Sequence, residues 1–345
     1  MPFDLAAGLS SRTFRLTALT LGWLLLISWL HYRLNIHESP RRIVRLGYMP
    51  VITNLAAPLL DEATRIGDGL RFKALKFSSF AEMAEALRND EIQAAFIIAP
   101  LAIVLKQQGV DIRIIAIGNR HESTLVTRRE LGIDRFEDLA GKTVAVPMRY
   151  SGHNLLLLRE IEKRGLDGQV KIVEMNPPDM AAAMTAKTLD AYFVGEPFAA
   201  QTLKNGYSSL LFHAEDLWPN FICNLVIAKE SLIAREPEMI RRLGRGIAAA
   251  GGWAKTNQRE AAAIASRYWS QDVDLILYAM NNPENRIVYD RYRPRPEEIQ
   301  EIADLMVKCG LLNDNQLGTL IDDTFTRDYP VATIDSLAGI VTAED

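Results

Sequence analysis

The residues best suited to chemistry in this chain stand at four strand-to-helix junctions. These are Tyr48-Met49-Pro50-Val51-Ile52-Thr53-Asn54, Phe77-Ser78-Ser79 running into Phe80, Ala99-Pro100, and Arg149-Tyr150-Ser151-Gly152-His153-Asn154. In open α/β sheets, ligands sit beyond the carboxyl ends of strands, where helix N-termini offer free N–H groups and partial positive charge. Small polar residues there suit noncovalent capture of a small anion. Thr53 and Asn54 supply hydroxyl and amide donors, and Ser79 with its backbone N–H places an anion at the start of the next helix. Ser151, Gly152 and His153 do the same at the fourth junction, where the glycine lets the backbone approach a ligand. His153 donates a hydrogen bond while neutral, and helix N-terminal polarity keeps it neutral near pH 7. Phe80, Pro100 and Asn154 complete the candidate set as immediate neighbours. Each Ser, Thr or Asn also reads as a plain helix cap, and a lone His as a structural one. Arg120 and Arg149 are available as ion partners, with exposed surface positions as the other reading.

Covalent and metal chemistry lack a motif. The chain has no G-x-x-x-x-G-K-[ST], no G-x-G-x-x-G after a strand, no G-x-S-x-G and no H-E-x-x-H, because Leu125 stands where the second histidine would follow His121-Glu122. Its five histidines (31, 37, 121, 153 and 213) have no metal-ligand spacing. The expectation is no catalytic residue, no metal and no cofactor. Cys223 and Cys309 read as two free, buried thiols, with a disulfide as the alternative.

From residue 43 onward, short apolar runs alternate with helical periods, which predicts an α/β protein with mostly parallel sheets. Strands are expected at 43–48, 70–77, 94–98, 112–117, 143–146, 170–174 and 191–194. Helices are expected at 54–66, 80–89, 101–108, 154–165, 179–186 and 198–205, then at 237–256, 260–269 and 297–309. Ser79-Phe80-Ala81-Glu82 and Asp134-Arg135-Phe136-Glu137 read as capping boxes. Two further apolar runs, 124–127 and 221–228, stand where a chain would pass from one lobe to another and return. A discontinuous first lobe (43–124 and 228–330) therefore encloses a continuous second lobe (125–227), with a tail at 331–345.

Ahead of this body, residues 16–30 (LTALTLGWLLLISWL) carry no charge. At ~1.5 Å per residue they cover ~22 Å of a ~30 Å hydrocarbon core, enough for a signal h-region or a short anchor. A small-residue cleavage pattern and a lipobox cysteine are both missing, and Trp29 and Tyr32 suit a membrane interface, so an uncleaved anchor is the preferred reading. The segments are then a cytoplasmic N-terminus at 1–15, an anchor at 16–32 and a linker at 33–42, holding the body on the outer face of the plasma membrane. Secretion after cleavage is the alternative.

The 345 residues carry 39 Lys+Arg against 43 Asp+Glu, a net charge of −4. Residues 1–42 hold Arg12, Arg15, Arg33, Arg41 and Arg42 against Asp4 and Glu38, which leaves the body at −7. An acidic body argues against nucleic acid as partner. It leaves room for a small anion held by a few local donors.

The stretch NPPDMAAAMTAKTLDAYFVGEPFAAQ (176–201) resembles the P-P-x-x-M … V-G-E-P-W segment of nitrate- and bicarbonate-type solute-binding proteins of ABC importers. Other members of that group bind sulfonates, taurine and pyrimidines. LGYMPVITNLAAPL (46–59), FEDLAGKTVAVP (136–147) and HNLLLLREIEKRGL (153–166) agree with the same family. The resemblance covers about residues 43–312. It implies an α/β, two-lobed type II periplasmic binding protein fold with a central cleft, here preceded by one N-terminal transmembrane or signal-anchor helix. It also implies a monomer that delivers its anion to an ABC permease and ATPase. Glu196, in the G-E-P motif, either meets a ligand ammonium or a co-bound cation, or caps the following helix with Pro197 in its first turn. Phe80 and Phe198 stand where the family often has Trp, and the smaller rings imply a larger pocket than nitrate needs. Two readings of another class stay open: an enzyme on the same fold acting on a pyrimidine or menaquinone precursor, and a membrane-tethered ligand sensor.

Overall fold

The computed structural model describes residues 12–32, 42–66, 69–327, 329 and 334–342. Residues 1–11 of the expected cytoplasmic segment, 33–41 of the linker, and 331–333 and 343–345 of the tail lie outside the described residues.

The leader forms one helix, Arg12–His31, whose described side chains from Phe14 onward are exposed. An 18-residue stretch of it, Phe14–His31, is long and apolar enough to cross a membrane.

The body is built on two five-stranded sheets. The first contains β1 (Arg42–Tyr48), β2 (Leu70–Lys76), β3 (Ala94–Ile98), β4 (Ile112–Ile117) and β10 (Asn224–Lys229), in the order β2-β1-β3-β10-β4. The second contains β5 (Ser123–Arg128), β6 (Thr143–Val146), β7 (Lys171–Glu174), β8 (Ala191–Gly195) and β9 (Ser208–His213), in the order β7-β6-β8-β5-β9. In each sheet the strand that follows a crossing runs against its neighbours: β5 is antiparallel to β8 and β9, and β10 to β3 and β4. The chain therefore changes sheet just before Ser123 and again just before Asn224, a few residues ahead of the sequence-based boundaries at 125 and 228.

The central strands read as unbroken apolar runs because helices cover both sheet faces. Every residue of β3 (AAFII) and β8 (AYFVG) is buried. Helices begin where the sequence supplies an acceptor for the first free N–H groups. Ser79 Oγ accepts from the Ala81 N–H, and Ser151 Oγ from the Asn154 N–H. The second expected capping box forms one residue later than its sequence suggested. It is Asp138, not Glu137, that accepts from the backbone at Asp134 and Arg135, and the turn it caps is the short 3-10 helix Phe136–Leu139. Among the elements that escape the periodicity reading, β9 (SSLLFH) is an edge strand with one buried position, so it shows no continuous apolar run, and the helices Ala214–Leu217, Glu230–Arg235 and Val273–Asn281 are short.

Candidate functional site

The loop after β1 ends in a 3-10 turn, Ile52–Asn54, that is completely buried. Asn54 Nδ2 donates to the Met49 carbonyl (3.0 Å), and Asn54 Oδ1 accepts from Asn224 Nδ2 (2.6 Å) on β10. Asn119 Nδ2 donates to the Ile52 carbonyl (2.7 Å), while the Ile52 N–H donates to the Glu196 carbonyl across the lobes (2.8 Å). Gly118 presses on the same turn: a Cβ there would stand 2.1 Å from the Thr53 carbonyl oxygen. Thr53 and Asn54 thus hold the loop to the crossing segments.

The fourth junction packs the same way. Ser151 caps its helix, and Gly152 is required by Phe221, since a Cβ would stand 2.9 Å from that ring. The expected ligand approach at Gly152 is occupied by packing between the helix and the second crossing. Asn154 Nδ2 donates to the Arg149 carbonyl (2.8 Å). The His153 ring lies edge-on to Phe193 (4.9 Å between centroids) and near Phe221 (5.7 Å), with Nε2 2.9 Å from Ser123 Oγ and Nδ1 unpartnered. Burial lowers its pKa to about 3, so the ring is neutral at pH 7. Desolvation, rather than the helix terminus the sequence suggested, is the cause.

Behind His153 stands a cluster that motif searching passes over. Ser123 donates to Glu122 Oε1 (3.0 Å), and Glu122 Oε2 is buried without a partner. Burial pushes the Glu122 carboxyl up to about 7, against hydrogen bonds from Cys223 and Ser123 and the charge of Arg286. Cys223 Sγ lies 4.0 Å from His153 Nε2, and burial raises the thiol well above its ordinary value. Both Cys223 and Cys309 are free. A neutral thiol beside a neutral imidazole is no activated nucleophile.

Glu196 acts as a cap: Oε1 accepts from Thr124 Oγ1 (2.8 Å) and Oε2 from the Ala200 N–H (2.8 Å), with Arg286 3.9 Å away. Pro100 is buried in the first turn of the Ala99–Gln107 helix. Arg120 is also buried rather than exposed, paired with Glu298 through both nitrogens (3.0 and 2.9 Å). Arg149 stacks over Tyr150 at 5.0 Å.

Two cavities lie on either side of the Ser79 helix start. One cavity of about 420 Å³ is lined by Ser79, Phe80 and Ala81 from the first lobe and by Pro147, Met148, Glu174, Met175, Asn176 and Asp179 from the second. The other, about 440 Å³, is lined by Pro50, Lys76, Phe77, Ser78 and Glu82, by Pro178, Phe198 and Gln201, and by Trp269, Ser270 and Gln271. Consecutive residues, Ser78 with Ser79 and Pro178 with Asp179, divide between the two, so they adjoin. Of the ten sequence-predicted residues, Ser79 and Phe80 line this space, and the other eight are buried. The two rings noted as replacing Trp face it, one in each cavity. Glu122, Cys223, Arg286 and Trp269 carried no motif. The signal for Trp269 is its place at the end of an amphipathic helix, where a polar-edged ring needs a partner.

A family model described as the NMT1-like family matches residues 38–268. The taurine-binding periplasmic protein of Escherichia coli is 27% identical over 175 residues, 49% of this chain and 53% of that protein, so the chain matches about half its length. Among solved structures, the ligand-binding component of an ABC-type import system from Staphylococcus aureus superposes with a TM-score of 0.75 at 20% identity, over 85% of this chain and 100% of that one. The alkanesulfonate-binding protein SsuA from Xanthomonas axonopodis, bound to MOPS, gives 0.69 at 17% identity, over 83% and 100%. At these identities the superpositions show the fold, two-lobed and of the periplasmic-binding type. The named relatives are binding proteins, not enzymes.

Proposed function

The chain belongs to the NMT1-like family, and on that premise we propose that it is the solute-binding component of an ABC importer. It captures a small anion or anionic organic solute of the nitrate, bicarbonate or sulfonate class between its lobes and hands it to the permease. The observation that carries this reading is the pair of adjoining cavities at the Ser79 helix start, each lined from both lobes. A solute touching both walls stabilises the closed arrangement, a population shift about the two crossings. Ser79 and Phe80 present the helix N-terminus to the solute, while the Asn54, Ser123, His153 and Asn224 network positions the lobes.

In this reading the division into lobes follows the two crossings, the protein acts as a monomer, and the N-terminal helix stays in the membrane as an anchor. Tethering raises the concentration of loaded binder near the permease. The test is a thermal-shift panel of nitrate, bicarbonate, taurine and methanesulfonate against the purified chain. A ligand present at 100 times its Kd adds about 2.7 kcal/mol of stability. At least one compound is expected to raise Tm by several degrees; a flat response across the panel contradicts the assignment.

A further inference from the structure

The cavity beneath Trp269 has a chemistry of its own. Trp269 is 3% exposed, yet its indole N–H has no hydrogen-bond partner, and neither has Oε1 of Gln271, which lines the same space. One is a donor and the other an acceptor, and polar groups buried this way are ordinarily paired. Ser270, between them, is left-handed (φ 60°) and ends the Gln258–Trp269 helix, which turns the chain so that both side chains border one cavity. Lys76 enters from the other wall, its Nζ 3.4 Å from both the Trp269 carbonyl and Ser270 Oγ. Among the described residues no carboxylate forms an ion pair with Lys76. Phe77 and Phe198 supply apolar walls. The volume, about 440 Å³, holds on the order of a dozen waters, far more than a three- or four-atom inorganic anion fills.

Resting on the solute-binding reading above, we propose that this cavity takes the amide-bearing part of an organic anion. The amide carbonyl accepts from the Trp269 indole N–H, the amide N–H donates to Gln271 Oε1, and the carboxylate or sulfonate pairs with Lys76. An amide carries its acceptor and its donor on separate atoms held in one plane, so a single neutral group meets both.

The test is isothermal titration of the full chain with N-acetyltaurine, taurine and nitrate, together with the variants Trp269→Phe and Gln271→Met. N-acetyltaurine is expected to bind at least tenfold more tightly than taurine. Trp269→Phe keeps the ring and removes the donor, and is expected to bring the two affinities within threefold. Gln271→Met, at a half-buried position, makes the same test from the acceptor side if Trp269→Phe fails to fold. Binding of taurine or nitrate with no preference for N-acetyltaurine overturns this inference and leaves the transport reading standing. A preference that survives in both variants also overturns it. Absence of binding by all three defeats the inference and the transport reading together.

Discussion

The Glu122 carboxylate occupies the space in which a side chain on Gly195 would begin: a Cβ there would stand 2.6 Å from Oε2 and 3.1 Å from Oε1. The glycine of the Gly195-Glu196-Pro197 motif is therefore explained by a neighbour on the first crossing, before any ligand is considered. An alanine must displace a carboxylate that is buried and has little room to move. Gly195→Ala is expected to cost about 1–3 kcal/mol in urea unfolding. Combined with Glu122→Ala, the two losses should be less than additive; simple additivity would mean the pair is not coupled.

Glu122 also sets a pH dependence. Its folded pKa of about 7 lies above the ordinary carboxylate value of roughly 4.3. Between those values the folded state keeps a proton that the unfolded chain releases, so this contribution is full below about pH 4 and is lost as pH rises through 7. His153 runs the other way: with its pKa lowered to about 3, its contribution is present above about pH 6.5 and is lost as pH falls toward 3. Glu122→Gln should raise Tm relative to the parent at pH 8 and not at pH 4.5. His153→Asn should flatten the acid limb instead. Melting curves of the three proteins from pH 4 to pH 8.5 decide it, and a parallel profile for Glu122→Gln would refute the titration.

Much of this architecture was legible from periodicity. β3 and β8 are continuous apolar runs because both faces are covered, and β4 and β6 depart from that only at Arg113 and Thr143; the apolar runs read as crossings, 124–127 and 221–228, belong largely to strands β5 and β10, which the chain enters just after it changes sheet. The candidate site was less legible, for a physical reason. Small polar residues at strand-to-helix junctions satisfy free backbone groups whether or not a ligand is present. Here Ser151 and Glu196 cap helices, and Asn54 ties its loop to β10. Which junction keeps open space depends on side chains distant in sequence. Phe221 fills the space at Gly152, whereas Trp269 and Phe198 border a cavity beside Ser78. Arg286, which donates to Thr124 Oγ1 and the Ser123 carbonyl, lies about 160 residues from both and had no local signal.

Arg120 provides a test of the first crossing. Its guanidinium donates to the Arg291 and Asn220 carbonyls (3.0 and 3.2 Å) as well as to Glu298, and its side chain is 1% exposed. Removing one partner of a buried pair leaves the other charge uncompensated. Arg120→Met is expected to cost about 3–5 kcal/mol, reduced by whatever Arg295, 2.7 Å from Glu298 Oε1, retains. The double change with Glu298→Leu should recover most of the loss in chemical denaturation. If the single change is nearly neutral, the crossing does not depend on this pair.

The N-terminal helix separates two fates by mass. Its 18-residue stretch Phe14–His31 rises about 27 Å at 1.5 Å per residue, close to a hydrocarbon core of about 30 Å, with Trp29 near one end and Tyr32 just beyond it. Bulky residues, Ser28-Trp29-Leu30-His31, stand where a signal peptidase favours small ones. Retention as an anchor predicts that the chain sediments with membranes, resists carbonate extraction and is released by detergent. It also predicts that the mature protein, by intact mass and N-terminal peptide mapping, still carries the Arg12–His31 helix. A product shortened by about thirty residues and recovered in the soluble fraction would establish cleavage, and with it a freely diffusing binder whose encounter with a permease depends on bulk concentration rather than on tethering.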